Sequence, residues 1–133
     1  MTGKSDPNVS VSWKDWIERA GEDYLLAISA VRRKTPLTYG ATFHAQQCIE
    51  KYLKALLISR QVSFPRTHDL AALGYLCEQA GIILPIDDDA LELLTAYAVE
   101  TRYPGTLPTI EEAKEAIKLA QIMRRFIKRR LSL

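Results

Sequence analysis

Apolar residues recur along this chain at the i, i+3, i+4, i+7 spacing of a helix, and prolines fall between the periodic stretches. From about Ser12 to Lys34, the residues Trp13, Trp16, Ile17, Ala20, Tyr24, Ala27, Ile28 and Val31 form one stripe. Ser12 is placed to cap it, Asp15 follows three residues on, and Pro36 lies just past Arg32, Arg33 and Lys34. A second helix is expected from about Leu37 to Arg60, with Pro65 beyond it. A third begins after Thr67 as N-cap, carries Leu70, Leu73, Cys77 and Ala80, and ends at Gly81. A fourth follows Pro85, with Asp87, Asp88 and Asp89 in its first turn, and runs to about Thr101. A fifth follows Pro108, where Thr109 and Glu112 have capping-box spacing, and continues through Ile110, Ala113, Ile117, Ala120 and Ile127. No hairpin signal or alternating run breaks this pattern, so the expectation is an all-α, up-down antiparallel bundle of four to five helices in a single domain, 1–133, with 1–11 flexible. Parity then puts "SFPRTHDL" and "ETRYPGTLP" at one end of the bundle.

The second helix carries an unusual face. Thr42, Ala45, Ile49, Tyr52, Leu53 and Leu56 make its core stripe on a helical wheel. Gln46, Gln47, Glu50 and Lys54 occupy the neighbouring arc, interleaved with Phe43 and Leu57. One reading is a solvated face with a Glu50–Lys54 i,i+4 pair worth a few tenths of a kcal/mol. The other is a surface covered by a partner or lining a cleft, with Phe43, Gln46, Gln47, Glu50 and Leu57 as a dimer or cleft face.

Composition narrows the function classes. Hydrophobic residues make up 47% and charged residues 26%, an ordinary globular balance. No stretch reaches the roughly 18 apolar residues of a membrane span, and the N-terminus lacks an apolar signal core. Cys48 and Cys77 fall inside helical patterns without a CxxC, as buried thiols of a cytoplasmic protein would. The net charge of +2 hides an asymmetry, because the chain from Lys114 onward holds seven bases and one acid, Glu115. Such a basic helix can contact phosphates, or it can simply complement its own dipole.

"FHAQQCIEKYLKALL", then "THDL", then "ETRYP" at the end of a later helix together resemble the HEPN domain (higher eukaryotes and prokaryotes nucleotide-binding domain) from about Ala20 to Arg125. The resemblance implies a bundle of about five helices that dimerises. It also implies a nucleotide- or RNA-binding module that acts with a small nucleotidyltransferase partner, often as toxin and antitoxin. Some members are metal-independent ribonucleases bearing an Arg, four to six residues, then His. That pair is missing here: Arg102 leads into "YPGTLPTI", His44 lies too far from Arg32 and Arg33, and neither Arg60 nor Arg66 has the right spacing to His68.

Of the two histidines, His68 is the better functional candidate. It stands at a helix start beside Asp69, where backbone N–H groups favour an anion. Arg102 offers a fork for phosphate and Tyr103 a ring for a base. The expected nucleotide site is therefore Glu50, Lys54, His68, Asp69, Arg102 and Tyr103. If RNA is cleaved, His68 is the general base on a ribose 2′-hydroxyl and Arg102 steadies the pentavalent phosphate. The structural alternatives are a His68 ring bonded to a loop carbonyl, an Arg102 on the last carbonyls of its helix, and a Tyr103 packed on Pro104. His44 reads as a surface or dimer-seam residue. No cofactor and no metal are expected; the three consecutive aspartates point different ways around their helix and suit capping.

Overall fold

The computed structural model describes residues 12–100, 105 and 107–133, side chains of 98–100 excepted. Five helices follow in order: α1 (Trp13–Arg32), α2 (Thr38–Ser59), α3 (Leu70–Gln79), α4 (Asp88–Glu100) and α5 (Ile110–Arg130). No strand occurs among the described residues. The all-α expectation holds, and helix ends fall within a few residues of those read from the prolines. The segment 1–11 lies outside the described residues.

Local chemistry explains the boundaries. The Ser12 hydroxyl accepts the Lys14 N–H at 3.1 Å and starts α1. A full capping box closes the start of α5: Glu112 N–H donates to Thr109 Oγ1 at 3.0 Å, and Thr109 N–H to Glu112 Oε1 at 2.8 Å. The α3 cap differs from expectation. Asp69, in extended geometry, accepts the Ala72 N–H, while Thr67 sits two residues back and accepts the Asp69 N–H. Asp87 likewise stands just ahead of α4 and accepts the Ala90 N–H at 2.8 Å.

α3 ends in a Schellman motif: Ile82 N–H reaches Cys77 O, Gly81 N–H reaches Glu78 O, and Gly81 takes φ +84°. α2 ends the same way, with Val62 N–H on Leu57 O and Gln61 N–H on Ile58 O. There the left-handed position is held by Gln61, at φ 58°. A side chain at that position is strained, and Gln61 is exposed. Gln61→Gly is therefore expected to raise stability by about 0.5–1 kcal/mol, read as a higher urea midpoint at unchanged slope.

α2 is the axis of the bundle and packs on all four other helices, most extensively on α1. Its core stripe (Ala45, Ile49, Tyr52, Leu53, Leu56) is fully enclosed, as expected. So are Gln46, Glu50, Lys54 and Leu57, on the arc where the sequence leaves water and cover as alternatives. The cover comes from the same chain. Trp16 of α1 lies over Lys54 on one flank, and Phe64, in the segment between α2 and α3, lies over it on another. Arg124 turns inward from the basic helix α5 onto the Tyr24 ring at 4.9 Å, tying α5 to α1.

Candidate functional site

The most chemically distinctive cluster of the molecule is built on Glu50. Its carboxylate is 2% exposed, and Lys54, one turn on, is 6% exposed. Lys54 Nζ donates to Glu50 Oε2 at 3.1 Å. The ammonium also lies 5.3 Å from the Trp16 ring centroid and 5.7 Å from that of Phe64. The other oxygen, Oε1, lies 2.9 Å from Nδ1 of His68. His68 differs from both partners, since its side chain is 74% exposed.

The chain places these three groups by simple means. An i,i+4 spacing aligns Glu50 with Lys54. The turn at Gln61 sends the chain back along α2, and buried Phe64 pins that return. His68 then arrives beside Glu50, immediately before the Asp69 cap of α3. With Nδ1–H given to the carboxylate, the tautomer is fixed and Nε2 is left as the working atom. Among the described residues Nε2 has no hydrogen-bond partner. A neutral ring offers Nε2 as a proton acceptor; a protonated ring offers an N–H to an anionic oxygen.

A second cluster repeats the first. Asp23 of α1 is buried; one of its oxygens lies 2.8 Å from His44 Nδ1, and the other accepts from Lys51. His44, read from sequence as a surface or seam residue, is thus half-buried and held by a carboxylate. A signal for this was present: Asp23 sits between Ala20 and Ala27 on the apolar stripe of α1, where an acid needs a partner.

The structure brings Glu50, Lys54 and His68 together. Asp69 adjoins them, but its carboxylate is occupied by the Ala72 amide. The helix-start amides are also partly used, because Leu70 N–H donates to Thr95 Oγ1 at 3.1 Å. That bond sets the His68 loop against the C-terminal half of α4. Arg102 and Tyr103 lie outside the described residues. Of the expected dimer or cleft face, Gln46, Glu50 and Leu57 are covered by the chain's own elements, Gln47 is half-buried and Phe43 is exposed. The physical reason is that α2, surrounded by four helices, has little free circumference.

Other nucleophiles are quiet. Burial pushes the Cys77 thiol up to about 12, and burial followed by the Asp23 charge drives Cys48 upward too. The Tyr52 phenol is also raised, mainly by burial. These groups stay protonated near neutrality and serve packing. Among the described residues no three His, Cys, Asp or Glu side chains are grouped to hold a metal, and no helix is long and apolar enough to cross a membrane.

A family model described as HEPN domain matches residues 13–131. No curated protein matches the chain. The crystal structure of TT1696 from Thermus thermophilus is similar over 88% of this chain and 96% of that one, with 26% identity and a TM-score of 0.64.

Proposed function

The chain belongs to the HEPN domain family, and from that premise we propose that it is a nucleotide- or RNA-binding module acting with a small nucleotidyltransferase partner in a toxin–antitoxin-like pair. The observation that supports the reading is the exposed His68 imidazole held at Nδ1 by buried, lysine-neutralised Glu50. Such a ring is pre-oriented, so little conformational entropy is lost when it meets a phosphate oxygen. Asp69 flanks it, and Arg102 and Tyr103 complete the proposed site as phosphate and base contacts. The protein is proposed to be cytoplasmic and to work as a homodimer, which light scattering at micromolar concentration tests.

The decisive experiment is a calorimetric titration with a nucleoside monophosphate. His68→Ala is expected to weaken binding by about tenfold or more, the worth of one hydrogen bond to a charged group. Its melting temperature should fall only slightly, because the imidazole is largely exposed and water can take its place beside Glu50 Oε1. Equal affinity in both proteins removes His68 from the site. If neither binds and the nucleotidyltransferase still co-purifies, the protein is a non-catalytic interaction module.

A second reading, ribonuclease activity, is favoured by the same carboxylate–imidazole pair. Here His68 Nε2 takes the proton of a ribose 2′-hydroxyl, whose oxygen attacks phosphorus and displaces the 5′-oxygen. Arg102 offsets the charge that builds on the phosphate. RNA cleavage by wild type that disappears in His68→Ala supports this reading, and cleavage that persists unchanged ends it.

A further inference from the structure

Away from His68, at the opening of α2, two large rings are left at the surface together. Tyr39 is 45% and Phe43 40% exposed. They stand one turn apart and lie nearly parallel, 23° between planes and 6.2 Å between centroids. His44 adjoins Phe43 edge-on, 5.2 Å away at 81°, and Asp23 fixes that imidazole. The three rings make a continuous aromatic surface on one pole of the α1–α2 hairpin.

The charge along this part of the hairpin has one sign. Between Asp23 and Glu50 the chain contains no carboxylate, and it contains Arg32, Arg33 and Lys34. All three cations are exposed. The hairpin turn holds the end of α1 against the start of α2: Leu37 N–H donates to Ala30 O at 3.0 Å, and a Cβ built on Gly40 would meet Ala30 Cβ at 3.9 Å. Asp23, the acid that touches His44, is already satisfied by Lys51 and His44. Aromatic faces flanked by cations suit an unpaired, phosphate-bearing strand, with its bases stacking on the rings and its phosphates meeting the arginines and lysine.

We infer that Tyr39, Phe43 and His44, with Arg32, Arg33 and Lys34, form a stacking platform for single-stranded RNA, separate from the His68 site. The inference shares with the proposed function only the choice of RNA as occupant. Phe43 and Glu50 differ by roughly 10 Å of rise along α2, so one strand can touch both places.

Fluorescence anisotropy with a labelled oligouridylate tests it. Tyr39→Ala with Phe43→Ala is expected to lower affinity about tenfold or more at unchanged melting temperature. Tyr39→Phe with Phe43→Tyr, which keeps both rings, should bind as wild type does. Arg32→Glu with Arg33→Glu should weaken binding and flatten its salt dependence by about two charges. Unaltered affinity in the double alanine variant overturns the inference, as does a wild type that binds no oligouridylate. Conversion of a dimer to a monomer by the alanine pair also overturns it, because the face is then an interface between copies. Titration of His68→Ala with a mononucleotide reports on the other site alone, so either site can fail without the other.

Discussion

Glu50→Ala is expected to destabilise the fold by about 3 kcal/mol, measured as a lower urea midpoint with the slope unchanged. The number follows from what the substitution leaves behind. Lys54 is nearly as enclosed as its partner, so its ammonium would lose its counter-charge without gaining water. The Trp16 and Phe64 rings at 5.3 and 5.7 Å soften that loss but do not replace a carboxylate. His68 loses less, since it is exposed. Glu50→Met combined with Lys54→Met removes both charges and keeps the volume, and it should recover most of the stability. A change below about 1 kcal/mol for Glu50→Ala would show the pair behaving as an exposed one.

Gly74→Val is expected to cost about 3 kcal/mol by the same measurement. Gly74 faces α4 inside the core, where an added Cβ would come within 2.7 Å of Leu91 Cδ1 and 3.5 Å of Leu84 Cδ1. Leu91 is fully buried, so it has little room to retreat, and a branched side chain would push α3 from α4. Gly21 supplies the control. It also lies inside a helix, but nothing within 4 Å would meet its Cβ. Gly21→Ala should stabilise by about 0.5–1 kcal/mol through helix propensity and a less mobile unfolded chain. If both substitutions destabilise alike, packing at Gly74 is not the cause.

Much of the architecture is legible in the sequence, for a physical reason. Pro36, Pro65, Pro85 and Pro108 each forbid a helix from continuing, so element ends are written in single residues. Thr109 with Glu112 and Gly81 are equally local signals, and both act as read. The α3 cap falls on Asp69 and not on Thr67 because both are good caps and only backbone geometry separates them. The enclosure of Gln46, Glu50 and Lys54 cannot be decided from α2 alone. A wheel shows which residues share an arc, not how many neighbours surround it. The partners of Glu50 and His44 come from other segments, His68 and Asp23, so the two charge clusters are tertiary facts. Asp23 is easily passed over because the stripe around it looks complete without it.

With neighbours on every flank, α2 has a fixed azimuth as well as a fixed place. Losing one residue near its middle would rotate everything beyond by about 100°. Lys54 would then swing away from Glu50 and from the Trp16 ring, and Leu53 and Leu56 would leave the positions their neighbours fit. The central rod of this protein can exchange side chains, but it cannot change length.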